Sequence, residues 1–310
     1  MQWLGFALPG WSGDDARPHH YVAGLALGPM SELPAPGLAP GKGHRDENFP
    51  VASWLVRPDA RAPILCFYRF ARAADDIADH AGVAPEVKLQ RLAAMRTGLT
   101  GEGASEGVAL ARVARERRLD LIHAQELLDA FVQDVAVHRY ADWAGLIAYC
   151  RMSAMPVGRF VLDVHGEDRA VWPLSDALCA ALQIINHLQD CGKDYRAIDR
   201  VYIPTESLKA AGVPVGALGE ARASPALRGV IAGLAAQTLD LLRVSAPFAA
   251  AIRDVRLSTE VAIIQRLAVD LTQGLLRRDP LSQNVHHSKP RAGALAMSAL
   301  LRHGVARMFA

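Results

Sequence analysis

The sequence predicts an all-α protein, a single helical bundle around a central cavity. From Glu47 to Arg278, apolar residues recur at three- and four-residue spacing in long segments, the period of helices that bury one face. Alternating runs of the strand type are scarce. No fixed-period repeat links the segments, which disfavours a solenoid and leaves one bundle.

The elements follow in order. The first 43 residues hold eight Gly and six Pro without apolar periodicity, so 1–43 reads as an irregular arm. Its opening MQWLGFALPGW has the look of a signal segment. No basic residue precedes Arg17, however, and Pro9 with Gly10 interrupts the apolar stretch, so secretion is not expected. Helices are expected at 60–81, 85–98, 105–116, 121–138, 142–165, 174–192, 205–211, 225–250, 256–277 and 291–308, separated by short breaks with Gly, Pro or Asp. The all-α body is 44–290, and 291–310 forms an amphipathic tail helix. Pro156 followed by Gly158 predicts a kink in the 142–165 helix, beside Ser153 and Ala154.

Composition bounds the function. With 310 residues, 51% of them hydrophobic, the core needs no disulfide or metal to hold it. Lys and Arg number 34 against 32 Asp and Glu, so the basic footprint of a nucleic-acid binder is missing and no such partner is expected. Mean hydropathy is +0.11, yet no uninterrupted apolar run approaches the ~20 residues of a membrane span. Cys66, Cys150, Cys179 and Cys191 form no CxxC pair. They read as reduced, mostly buried thiols of a cytoplasmic protein.

Against this background the acids are unevenly placed. The mostly apolar stretch RAPILCFYRFARAADDIADHA carries Asp75, Asp76 and Asp79 within five positions. Asp75 and Asp79 are four apart, hence on one helix face and about 6 Å apart along the axis. A second apolar stretch, LQIINHLQDCGKDY, places Asn186, Asp190 and Asp194 at i, i+4 and i+8. Two carboxylates at that separation repel by roughly 3 kcal/mol at an effective dielectric of 20. A hard cation such as Mg²⁺ offsets the repulsion, because it takes oxygen ligands and bridges one or two carboxylates to substrate phosphates. Asp75, Asp79, Asn186, Asp190 and Asp194 are therefore the metal-ligand candidates, the cluster would hold a diphosphate, and the oily remainder of the cavity would suit an apolar tail. The plainer alternative is a set of surface ion pairs, since Arg72 lies three and four residues before Asp75 and Asp76. The repetition of the pattern on a second apolar helix weighs against it. Asp76 points about 100° away from Asp75 and suits an arginine partner.

These residues resemble the squalene/phytoene synthase family, the head-to-head isoprenoid synthases, over most of 47–289. The likeness rests on Tyr68-Arg69-Phe70-Ala71-Arg72 leading into Asp75-Asp76-Ile77-Ala78-Asp79, and on Asn186, Gln189, Asp190 and Asp194 followed by Arg200-Val201-Tyr202-Ile203-Pro204. The resemblance implies two acidic motifs facing each other, Mg²⁺, and a prenyl diphosphate substrate. Three further stretches look like the hydroxysqualene-forming branch of bacterial hopanoid synthesis: Glu47-Asn48-Phe49-Pro50-Val51-Ala52-Ser53, Tyr149 through Arg159, and Asp279-Pro280-Leu281-Ser282 with Val285-His286. That likeness implies ionisation of presqualene diphosphate, rearrangement of the cation and capture by water. Close rivals within the family condense two prenyl diphosphates to presqualene diphosphate or phytoene, and a non-catalytic assembly protein would have eroded aspartates. The chain departs from the family pattern at Cys191-Gly192-Lys193 and in the spacer from Asp194 to Tyr202, which is longer by one residue.

By the same resemblance, Tyr68, Tyr149 and Tyr202 match positions near the diphosphate or the cation, and Asn48, Phe49 and Gln189 fall in motifs that hold substrate. Arg72, one turn before Asp75, and Arg45, before the ENFPVAS stretch, can reach a diphosphate. Phe49, Phe67, Met152, Met155 and Phe160 either line the tail cavity or pack the core. His187 is off the ligand face and reads as structural, and His286 and His287 read as surface or packing residues. The basic, apolar tail either docks on the bundle or lies on a membrane interface through Leu300, Leu301, Val305, Met308 and Phe309, with Arg302 and Arg307 at the polar edge.

Overall fold

The computed structural model describes residues 56–308, so the irregular arm and Arg45, Asn48 and Phe49 lie outside the described residues. Among those described there are thirteen α-helices and no strand beyond one isolated bridge, Arg139 to Val201. α1 (Pro58–Asp79) starts on a proline, whose missing N–H is no loss in a first turn. α2 (Pro85–Gly98), α3 (Ser105–Arg117) and α4 (Ile122–Ala136) pack with it around Phe67, Phe70, Leu92, Leu110, Leu127 and Phe131.

The expected 142–165 helix is two, α5 (Trp143–Ser153) and α6 (Met155–His165), broken at Ala154. Pro156 falls in the first turn of α6, where it is tolerated, so the kink becomes a full break at Ala154, two residues before the proline. Gly158 has a different role from the one expected. A Cβ there would come within 2.4 Å of Ser175 Oγ and 2.6 Å of Cys179 Sγ, so glycine lets α6 lie close against α7 (Trp172–Gln189).

The expected 174–192 helix also divides, because Asp190 leaves helical geometry between α7 and α8 (Cys191–Ile198). The i+4 hydrogen bonds persist across the joint, Asp190 N–H to the Asn186 carbonyl and Asp194 N–H to the Asp190 carbonyl, both at 2.9 Å. The polar rail therefore survives the break. Gly192 in the unusual Cys-Gly-Lys step fits under Leu281, whose Cδ2 would stand 2.5 Å from an added Cβ.

α9 (Thr205–Ala210), α10 (Pro225–Val244), α11 (Phe248–Ala251), α12 (Val255–Arg277) and α13 (Lys289–Met308) complete the chain, so the expected 225–250 helix is interrupted at Ser245 to Pro247. α10, α12 and α7 build the larger apolar cluster, around Ile184, Leu188, Leu227, Ile231, Leu267 and Leu271. α4 and α6 straddle the two clusters: Ala130 and Leu162 belong to the larger, Phe131 and Phe160 to the smaller. Phe67 and Phe160 stack at 4.0 Å across α1 and α6, and Met155 is buried in the larger cluster, so these residues pack the core. Cys150, Cys179 and Cys191 are buried and unbridged, as the composition suggested, and Cys66 is half-buried.

Candidate active site

The two acidic segments sit one on each apolar cluster. On α1, Tyr68, Arg72, Asp75 and Asp79 fall at i, i+4, i+7 and i+11, a single stripe. Arg72 spans Asp75 (3.3 Å) and Asp76 (2.9 Å), so the i+3 and i+4 ion pairs form alongside the acidic motif and Asp76 is an arginine partner. Lys88 Nζ donates to the Ala78 carbonyl at 2.9 Å and closes the C-terminal turn that carries Asp79. On the other side Asn186 is buried at the end of α7, with Asp190 and Asp194 half-buried at the joint and on α8.

Charge connects the two sides. Burial pushes Asp75 up to about 6, with Asp79 adding to it and Arg72 opposing. Burial likewise pushes Asp194 up to about 7, reinforced by Asp190 and by Asp79 from the facing segment. Carboxylates so displaced are short of positive charge.

The structure adds a layer that sequence reasoning passed over. Asp199 ends α8 in the left-handed region, φ 50°, a conformation that aspartate tolerates, and so turns the chain. The segment beyond it runs beside the α4–α5 connection: Val201 N–H donates to the His138 carbonyl, and Thr205 N–H to that of Tyr140. This brings Arg200 under the site. Its Nη1 donates to Asp79 at 2.6 Å and Tyr202 Oη at 3.4 Å, and its Nη2 to the Asp134 carbonyl at 3.0 Å. Around it the rings of Tyr140, Tyr149, Tyr202 and His187 stack in one cluster, with 3.3 Å between the His187 and Tyr202 centroids. His187 is thus a packing residue, and burial keeps it neutral by lowering it well below the usual histidine range.

Asp134 and Tyr140 were legible only in hindsight. Asp134 continues the apolar stripe of Leu127 and Phe131 on α4, and an acid on a buried stripe is a signal for a site. Gln189 is buried and donates to the Val285 carbonyl at 3.4 Å, tying α7 to the loop after α12. His287 is a packing residue: its Nε2 lies 3.0 Å from Asp270 Oδ2, which also pairs with Arg291.

The sequence model of squalene/phytoene synthases matches residues 43–291. This chain belongs to the squalene/phytoene synthase family. It is 52% identical to a hydroxysqualene synthase of Zymomonas mobilis over 89% of its length and 94% of that protein's. It is 53% identical to a hydroxysqualene synthase of Rhodopseudomonas palustris over 80% of this chain and 86% of the other. Among solved structures, a squalene synthase from Alicyclobacillus acidocaldarius superposes with a TM-score of 0.64 at 28% identity, covering 73% of this chain and 87% of that one.

Squalene/phytoene synthases are isoprenoid synthases that generally depend on a divalent metal. Among the described residues of this synthase no three acidic, histidine or cysteine side chains close on one point, so there is no all-protein cage. What is present is carboxylates in pairs, of which Asp75 and Asp194 are pushed up by burial and by their acidic neighbours. That donor set fits a cation that takes one or two carboxylates and completes its shell with water and substrate oxygens.

Proposed function

We propose that the protein converts presqualene diphosphate and water to hydroxysqualene and diphosphate. The observation that carries this reading is the extent of its similarity to two hydroxysqualene synthases, which runs through nearly the whole of each. Asp75 and Asp79 from α1, with Asn186, Asp190 and Asp194 from α7 and α8, would hold Mg²⁺. The metal would supply positive charge for the departing diphosphate oxygens. Arg72 would bind and orient the diphosphate beside Asp75, with Arg45, Asn48, Phe49 and Gln189 as further substrate contacts. Arg200 holds Asp79 in place and keeps a guanidinium beside the reacting region.

The C–O bond to diphosphate breaks with its electron pair going to the leaving group. The cyclopropylcarbinyl cation rearranges, and water adds with loss of one proton. Tyr68, Tyr149 and Tyr202 would border this sequence, where ring faces stabilise positive charge. The buried cluster of three tyrosines and His187 also limits how many waters can reach the cation. We read 44–290 as the synthase unit, 1–43 as an appended arm and 291–310 as a tail.

Purified protein with Mg²⁺ should yield hydroxysqualene from presqualene diphosphate and turn over neither farnesyl nor geranylgeranyl diphosphate. Extracted products identified by mass spectrometry check this. Turnover of either prenyl diphosphate alone would reassign the protein to presqualene diphosphate or phytoene synthesis. No product from any of them, with no further loss on Asp75→Ala or Asp190→Ala, would point to an assembly protein of the same fold.

The tail supports peripheral membrane contact at the inner face as well as docking. The inner face of α13 packs through Ala292, Leu295 and Ala299, and Ser258 Oγ on α12 lies 2.8 Å from His303 Nε2 and accepts from Arg307 Nη1 at 2.8 Å. Arg307 is exposed and also tied to α12, and Leu300 is half-buried; the side chains of Met308 and Phe309 lie outside the described residues. The outer face leaves Met297 at 56%, Leu301 at 65% and Val305 at 51% exposed, four residues apart and flanked by exposed Lys289 and Arg302. No acid follows Asp279. An apolar stripe with only basic neighbours suits an anionic lipid surface, and no described helix is long and apolar enough to cross a membrane. The protein is expected to float with vesicles containing anionic phosphatidylglycerol, and Leu301→Glu to reduce that fraction. Equal flotation of both proteins, or none of the parent, would count against the contact.

A further inference from the structure

A carboxylate that belongs to neither acidic motif lies behind the tyrosine cluster. Asp134, in the last turn of α4, is 3% exposed. Its Oδ2 accepts a hydrogen bond from the Tyr149 hydroxyl at 2.8 Å, and its Oδ1 has no hydrogen-bond partner among the described residues. The Tyr140 ring lies 5.0 Å from that of Tyr149. A buried carboxylate oxygen left without a donor is costly, so packing alone does not explain Asp134. Arg200, the cation beside them, directs its hydrogen bonds to Asp79, Tyr202 and the Asp134 backbone, leaving the Asp134 carboxylate to Tyr149. Burial pushes Asp134 up to about 7, against the pull of Arg200 and the Tyr149 hydrogen bond, so this carboxylate is able to carry a proton near neutrality.

Resting on the reaction proposed above, we propose that Asp134 is the positioning residue that receives, through the Tyr149 hydroxyl, the proton that water loses on capturing the substrate cation. The water oxygen contributes an electron pair to the new C–O bond. One of its O–H bonds then breaks, Tyr149 Oη takes that proton, and the proton already on Oη passes to Asp134 Oδ2. Tyr149 ends as it began, Asp134 gains one proton, and the cationic charge is discharged. The competing acceptor is the diphosphate released in the first step.

The ratio of hydroxysqualene to diphosphate released, both measured in one reaction of the Mg²⁺-loaded protein with presqualene diphosphate, separates the two acceptors. In Asp134→Asn the ratio falls by at least about tenfold, the scale of a lost proton acceptor, and hydrocarbons formed by proton loss from carbon make up the balance. Asp134→Glu, which keeps a carboxylate, recovers part of the ratio. Tyr149→Phe breaks the relay at its other link and shifts the ratio the same way, so it decides the matter if Asp134→Asn does not fold. A purely structural role lowers both products together and leaves the ratio at the parent value, which would overturn the proposal and assign the proton to diphosphate. If the parent itself released no diphosphate from presqualene diphosphate, the reaction assignment would fail first and this inference with it. Parent turnover with unchanged variant ratios sinks the inference alone.

Discussion

Arg200→Ala lowers folding stability by about 1–3 kcal/mol, the cost of leaving a buried acceptor without its donor, and leaves little turnover. Arg200 is 5% exposed, and its guanidinium joins three elements: Asp79 at the end of α1, the Asp134 carbonyl at the end of α4, and Tyr202 on its own segment. Alanine leaves Asp79 without its ion pair and the Asp134 carbonyl without its donor, in a region already crowded with acids. Asp79 is affected most directly. Burial alone would raise it, and Arg200, helped by Lys88, brings it below the usual carboxylate range. Arg200→Lys keeps the charge but cannot fork to two partners, so it should recover only part of the loss. Denaturant unfolding followed by circular dichroism, with product formation measured in parallel, checks both effects. Parent-like unfolding of the alanine variant would contradict the network described.

Asp194→Asn has the opposite effect on stability and a similar effect on activity. In metal-free buffer at pH 7.5 it should melt above the parent, because the native carboxylate is pushed up to about 7 by burial and by Asp190 and Asp79. The sign follows from linkage. A folded carboxyl raised above its unfolded value contributes stability that is present below about pH 4 and is lost as pH rises through about 7. Asparagine has no proton to lose, so the gap between variant and parent opens over that interval and is nearly absent at pH 4. The gain at neutral pH is of the order of 1 kcal/mol or more. On the proposed metal assignment Mg²⁺ should reverse the comparison, because it would bind the folded parent more tightly than the variant and stabilise it by mass action. Turnover of presqualene diphosphate should fall by about 10²–10³, the scale of losing one preorganised electrostatic partner. Thermal melts across pH with chelator, then with Mg²⁺, test the stability side. A variant that melts below the parent in chelator at neutral pH would show that the Asp194 charge is not uncompensated.

The two predictions bear on one feature, the separation of the acids from their counter-charge. The aspartate pairs were readable from the chain because a charged residue inside an apolar helix is costly unless something opposes it, and helical period places residues four apart on one face. The all-α class followed from the same periodicity, which depends only on local geometry. Local pattern also marked the tension around Pro156, although not its outcome: proline is accepted in a first turn, so the chain ends one helix at Ala154 and begins another.

What the chain did not disclose depends on contacts between segments far apart. Asp79 and Arg200 are 121 positions apart, and their meeting needs the turn at Asp199 and the pairing of 201–205 with the α4–α5 connection. Tyr140, Tyr149, Tyr202 and His187 come from three separate stretches, and no spacing rule relates them. Asp134 is an unremarked acid in sequence and a buried partner of Tyr149 in space. The sequence by itself determined the all-α class, the two acidic stripes and the family. Only the tertiary structure decided which arginine opposes the acids, which tyrosines share a wall and which carboxylate stands behind them, because burial and partnership are properties of packed segments and have no period along a chain.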